Sequence, residues 1–297
     1  MGAWLLLAAG LAADTVHSFK LAIARGESLH VATVGHGEAV VLIPGFFGAA
    51  FAFRKLVPLL ERAGYQSVIV EPLGTGSSGR PEHADYSLCA QAGRIAAALD
   101  SLRIRHAWVI AHSVGGAIAL RVAYRRPDLV RALVSLEGGP TERVATQEFR
   151  RAARYIPWIK VFGGLRLIRR AVRRTLIASS GDTSWVTDAV VEGYTAGAAA
   201  DLDGVLKAYL AMAASREHDR LQPHLREIVC PVRLMLGLAP HDGSVGPLEV
   251  DELRRSVPSF TADSIAGAGH YLQEERPDAV VIALEKVRTA ALGTTTR

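Results

Sequence analysis

A chain of 297 residues with 49% hydrophobic and 21% charged side chains can bury a sizeable core, and an open α/β sheet of this length is often one domain. The formal charge is +5, yet nine Lys or Arg and no Asp or Glu fall within residues 150–174, so the rest of the chain is net acidic. A local patch with few, scattered aromatics excludes the broad basic surface and stacking platform of a nucleic-acid binder.

Residues 1–18 stand apart. Met1 to Ala13 is an apolar run, too short for the roughly 20 residues that cross a bilayer. With no Lys or Arg ahead of it and no clean Ala-x-Ala site, it predicts a peripheral helix or a displaced start codon, with export as the alternative. The expected location is cytoplasmic.

From Phe19 to Val34, alternation around Gly26-Glu27 predicts a hairpin of two edge strands. Ala39 to Ile43 is wholly apolar, as for a central strand buried on both faces. A helix over Phe53–Ala63 follows, then a strand at Ser67–Glu71, a helix at Ser87–Leu102, a strand at Ala107–Ala111, a helix from about Val114 to Arg126, and a strand at Val130–Leu136. This alternation predicts a mostly parallel central sheet flanked by helices. Residues 141–225 show helical patterns only. The alternation resumes with strands at Val232–Leu236 and Phe260–Ile265 and helices over 247–256 and 275–291. The expected organisation is an α/β core of residues 19–140 and 226–297, with a helical lid, 141–225, inserted after the strand ending at Leu136.

Ala111-His112-Ser113-Val114-Gly115 joins a strand end to a helix. A nucleophile on so sharp a turn needs small neighbours, and Ala111 and Gly115 supply them; a serine capping a helix is the plainer alternative. A serine hydroxyl needs a base, and His270 follows the last strand on the Gly-rich loop Ala266-Gly-Ala-Gly-His270. His112 is a neighbour of the serine, since successive side chains diverge. The imidazole needs a carboxylate. Asp242, after the strand ending at Leu236, is preferred because it gives the order Ser, Asp, His; Glu137, after Leu136, is the alternative acid. The backbone N–H groups of Val114 and Phe46, the latter in Pro44-Gly45-Phe46-Phe47-Gly48, are the expected oxyanion donors.

Together these segments resemble the α/β-hydrolase superfamily, in its lid-bearing serine hydrolase branch, over about residues 28–140 and 228–290. Pro44-Gly45-Phe46 looks like the family's oxyanion loop, with Pro44 where His is common. Glu71-Pro-Leu-Gly74-Thr-Gly76-Ser77 looks like its Asp-x-x-Gly-x-Gly-x-Ser segment, with Glu for Asp, and Gly269-His270 followed by Glu274-Glu275-Arg276-Pro277 is close to its histidine loop. Asp242 comes five residues after Gly237, where the family usually spaces the acid by three, and some relatives carry the acid after the strand that ends here at Leu136. The resemblance implies a cofactor-free hydrolase acting on an ester or related acyl substrate through an acyl-enzyme. A carbon–carbon bond hydrolase or acyltransferase on the same fold, and an inactive binding member, are the alternatives. A nucleophilic serine argues against epoxide hydrolase and haloalkane dehalogenase chemistry, whose alkyl-enzyme ester needs a carboxylate.

Neither His-Glu-x-x-His nor a paired-Cys cluster occurs, so no metal is expected. Cys89 and Cys230 read as packing thiols. In the lid, Arg150, Arg151, Arg154, Lys160, Arg166, Arg169, Arg170, Arg173 and Arg174 interleave with Trp158, Phe162, Leu165, Ile168, Val172 and Leu176 at helical spacing. This predicts an amphipathic helix with a solvated basic face. Weak contact of that face with an anionic membrane surface, or with an acidic substrate group, is the sharper alternative.

Overall fold

The structure, a computed structural model, describes residues 16–45, 47–144 and 164–293. Eight strands form one sheet in the order β1-β2-β4-β3-β5-β6-β7-β8. They are β1 His17–Ala24, β2 Glu27–Val34, β3 Glu38–Ile43, β4 Tyr65–Val70, β5 Ala107–His112, β6 Val130–Leu136, β7 Val232–Gly237 and β8 Phe260–Ile265. Gly26, at φ +79°, turns the β1–β2 hairpin, and β2 runs antiparallel to β4. All other pairings are parallel. Every residue of β5 is buried, which explains its unbroken apolar character: helices cover both of its faces.

On one face pack α2 (Leu88–Ser101), α3 (Val114–Arg125) and, farther along the chain, a helix over Pro247–Ser256. On the other pack α1 (Val57–Arg62) and the closing helix over Pro277–Gly293. Ser87 caps α2 by accepting from the Ala90 N–H, satisfying one of the free amides of its first turn.

Two expected helices are divided. Phe53–Ala63 becomes a 3-10 turn at Ala50–Phe53 followed by α1, because Pro58 lacks an N–H and fits only the first turn of a helix. The C-terminal helix likewise divides before Pro277. Between β6 and β7 the described residues carry α4 (Gly164–Ala178), α5 (Asp188–Tyr194), α6 (Ala196–Ala200) and α7 (Leu202–Ala214), with no strand among them. The later helices are α8 (Pro247–Ser256), α9 (Leu272–Glu275) and α10 (Pro277–Gly293).

Val172 and Leu176 of α4 pack with Trp185, Val190, Tyr194, Ala52 and Tyr271. The insertion therefore rests on the segment after β3 and on the residue beside His270. No helix of the described residues is long and apolar enough to cross a membrane. Cys89 and Cys230 are free and buried.

Candidate active site

Ser113 sits between β5 and α3 at φ 54°, ψ −125°, a backbone state that costs a non-glycine residue of order 1–3 kcal/mol. The surroundings enforce it. Ser113 N–H donates to Leu136 O at 2.8 Å, and Gly116 N–H donates back to Ser113 O at 2.8 Å. A Cβ on Gly115 would lie 2.5 Å from Ile43 O, and one on Gly116 would lie 2.3 Å from Ser135 Oγ. The small residues after the serine are thus required by close approach of β3 and β6. The serine hydroxyl does not cap α3, so the capping alternative does not hold.

Val114 is the first residue of α3, so its N–H lies in the turn whose amides have no partner inside the helix. The chain after β3 passes against the same turn: a Cβ on Gly45 would be 3.1 Å from Ser113 Cβ. Phe46 lies outside the described residues, so its expected role has no structural description. Glu71, at the family's Asp position, is buried; it accepts from Ala50 N–H at 2.8 Å and from Ser77 N–H at 2.6 Å, and lies 3.1 Å from His30 Nδ1. It ties the segment after β3 to the Gly-rich loop after β4. A narrow cavity beside the elbow is lined by Pro44, Gly45, Val114, Leu88, Ile118 and Met212, among others.

His270 is buried on the loop after β8. Its N–H donates to Ser179 O at 2.8 Å, and its carbonyl accepts from His112 Nε2 at 3.0 Å. A carbonyl can only accept, so Nε2 carries the proton of His112, whose pKa burial pushes down to about 4. His112 therefore serves as a donor that holds the His270 backbone beside the elbow; the two rings are 4.8 Å apart. Burial, then the neighbouring His112 and His241, holds His270 well below the usual histidine range, with the Gly243 backbone opposing. Glu275 fixes the loop from below, accepting from Gly269 N–H at 3.1 Å, Gly181 N–H at 2.9 Å and Asp182 N–H at 2.8 Å.

The two candidate acids are placed very differently. Asp242 is exposed and contacts the site only through its backbone N–H, which reaches Ala178 O at 3.3 Å. The structure does not bring its carboxylate to His270. Glu137 is 3% exposed and sits at φ 49° directly after β6. Its Oε1 accepts from Gly237 N–H at 2.5 Å and its Oε2 from Val245 N–H at 3.1 Å. Burial raises its pKa, against those two amides and His241. A carboxylate oxygen of Glu137, a ring nitrogen of His241 and a ring nitrogen of His270 lie within 4.8 Å of one another. By placement, the buried acid near His270 is Glu137, and Asp242 is an exposed residue of the loop after β7.

His241 was not singled out by its sequence context. Its place beside Glu137 depends on β6 and β7 being neighbours, which no local pattern reports. Of the basic segment, Arg150, Arg151, Arg154 and Lys160 lie outside the described residues, as do Trp158 and Phe162. In α4, Arg169 is 3.6 Å from Glu192 and Arg173 bonds Asp188, while Arg166, Arg170 and Arg174 are exposed.

Comparison with known proteins agrees with this architecture. Residues 38–185 match the model of the alpha/beta hydrolase fold family. An uncharacterized hydrolase, YugF, of Bacillus subtilis is 26% identical over 251 residues, covering 82% of this chain and 87% of that protein. Bifunctional epoxide hydrolase 2 of Sus scrofa is 36% identical over 121 residues, covering 40% of this chain but only 22% of its own length. The structure of Cfl2 from Burkholderia cenocepacia superposes with a TM-score of 0.70 at 25% identity, covering 91% of this chain and 94% of that one.

Proposed function

Because the chain belongs to the α/β-hydrolase superfamily, we propose that it is a serine hydrolase of carboxylic esters or related acyl substrates, with Ser113, His270 and Glu137 as its catalytic residues. The observation that carries this reading is Ser113 at positive φ on the β5–α3 turn, with a buried histidine and a buried carboxylate on the adjoining loops. Glu137 takes the role first expected of Asp242.

In the proposed reaction His270 Nε2 accepts the Ser113 proton as Oγ attacks the acyl carbon. Glu137 holds the Nδ1–H tautomer and stabilises the imidazolium. The lowered basicity of His270 keeps it neutral, and so able to accept a proton, at neutral pH. Val114 N–H, at the positive end of α3, receives the developing oxyanion, with Phe46 N–H as the second donor. The imidazolium protonates the leaving alcohol. A water, deprotonated by His270, then opens the acyl-enzyme and releases the acid and Ser113.

The lining beside the elbow is apolar, with Leu88, Ile118 and Met212 among its side chains, in keeping with an acyl substrate. The helical insertion, resting on Ala52 and Tyr271, serves as a lid. Epoxide hydrolysis, named for the Sus scrofa relative, is not carried over, because an alkyl-enzyme ester needs a carboxylate where Ser113 stands. A fluorophosphonate probe tests the reading: stoichiometric labelling at Ser113 of folded protein supports it, and folded protein that resists the probe contradicts it.

A further inference from the structure

His241 poses a problem in hydrogen bonding. Its Nδ1 lies 2.6 Å from Ala239 O, and a carbonyl only accepts, so Nδ1 bears the proton. In the neutral ring Nε2 then presents a lone pair. That nitrogen is enclosed without a hydrogen-bond partner, on a side chain 1% exposed. It faces the Glu137 Oε1 lone pairs at 3.5 Å, too long for a hydrogen bond. His270 Nδ1 is a second enclosed nitrogen without a well-formed hydrogen bond, with the Gly243 backbone beside it. With His241 neutral its Nε2 is an electron-pair donor, and a ring nitrogen of each imidazole and a Glu137 oxygen lie within 4.8 Å of one another.

A distance of 3.5 Å is, however, close to the separation of two ligands on a tetrahedral zinc ion, about 3.4 Å for bonds of about 2.1 Å. Two imidazoles and a carboxylate are a donor set that zinc accepts, whereas magnesium and calcium prefer oxygen alone. The donors come from three loops, after β6, β7 and β8, with Gly243 (φ +86°) against the His270 ring; full coordination requires these loops to draw the three ligand atoms together from a spread of up to 4.8 Å.

We propose that Glu137, His241 and His270 form an inhibitory site for zinc or a similar divalent transition metal. The inhibition, though not the binding, rests on the hydrolase reading above. Coordination and catalysis need opposite tautomers of His270. To accept the Ser113 proton, the ring must carry its hydrogen on Nδ1 and its lone pair on Nε2. To bind the metal at Nδ1, the same hydrogen moves to Nε2, and the base is lost. The metal also occupies the Glu137 oxygen that would hold the active tautomer. Because Cys89 and Cys230 are buried, thiols do not compete for the ion.

Calorimetric titration of the full chain with zinc tests the site. One saturable site is expected, weakened on the order of 100-fold by H241A, with magnesium silent. The H241Q variant, with an unchanged metal-free melting temperature, guards against a folding defect. Absence of saturable zinc binding, or binding untouched by H241A and H241Q, overturns the proposal and points to a proton shared between His241 and Glu137. Fluorophosphonate labelling tests the consequence: zinc should block labelling of the wild type, EDTA should restore it, and zinc should leave H241A at that variant's own metal-free labelling rate, whatever that rate is. Zinc that binds without blocking the probe also overturns it. Failure of the wild type to label without metal defeats the hydrolase reading alone, and calorimetry still decides the site.

Discussion

The elbow around Ser113 and the acid–histidine side of the site are built by opposite means. The elbow is a backbone construction: a single short stretch, 111–116, is forced into shape by close approach of Ile43, Ser135 and Gly138. The acid side is a side-chain construction, with Glu137, the 237–245 loop and the 267–275 loop meeting from distant parts of the chain. Crowded backbone tolerates almost no substitution but leaves a local signature. Converging side chains leave almost none, and can be assigned only after the sheet order is known.

That contrast orders the expected effects of mutation. Under the proposed mechanism Ser113→Ala removes the nucleophile and should lower kcat by about 10⁶ in an ester assay, with the melting temperature unchanged; residual turnover near wild type would move the chemistry elsewhere. Glu275→Gln acts at one remove, weakening the bonds that hold Gly269 and Gly181. A loss of about 10- to 100-fold in kcat with little change in KM is expected, since a small misplacement of a catalytic group is costly.

The elbow should answer in stability as well. Gly115→Ala sets a Cβ against Ile43 O, and overpacking of about 2 kcal/mol should lower the melting temperature by roughly 4–8 °C. A thermal shift assay showing no change would mean the turn is looser than its contacts indicate.

The pH profile compares the two sides directly. In the proposed mechanism protonation of His270 removes the base, and its pKa is lowered, chiefly by burial. The acid limb of kcat/KM should therefore fall below pH 6.5, the ordinary histidine value, with activity retained above it; half-loss above pH 6.5 would contradict the burial of the base. The smallest effect is expected at the exposed arginines of α4. Replacing Arg166, Arg170 and Arg174 with Ala should change kcat/KM less than about threefold, as for most surface substitutions, and co-sedimentation with anionic vesicles shows whether that face does more than stay solvated.

The pattern of strands and helices was legible from hydrophobic alternation, because the central strands β3 and β5 are short and buried along most or all of their length. Helix divisions before Pro58 and Pro277 were less so, since a proline in a first turn interrupts pairing without interrupting periodicity. Ser113 and His270 stood out because each sits on a small-residue turn at a strand end. The acid did not, since Asp242 and Glu137 both follow strands, and only burial separates them. His241 was invisible for the same reason: its partner is 104 positions away in sequence and 3.5 Å away in space.

The most direct test pairs the two acids. Rates of Ser113 acylation by a fluorophosphonate or an activated ester should be measured for Glu137→Gln and Asp242→Asn in parallel, with folding checked by melting temperature. The buried acid should matter: Glu137→Gln should lose about 10⁴ in rate, and Asp242→Asn should stay within about threefold of wild type. The reverse result, a crippled Asp242→Asn beside a nearly intact Glu137→Gln, would contradict the assignment and place the acid on the loop after β7.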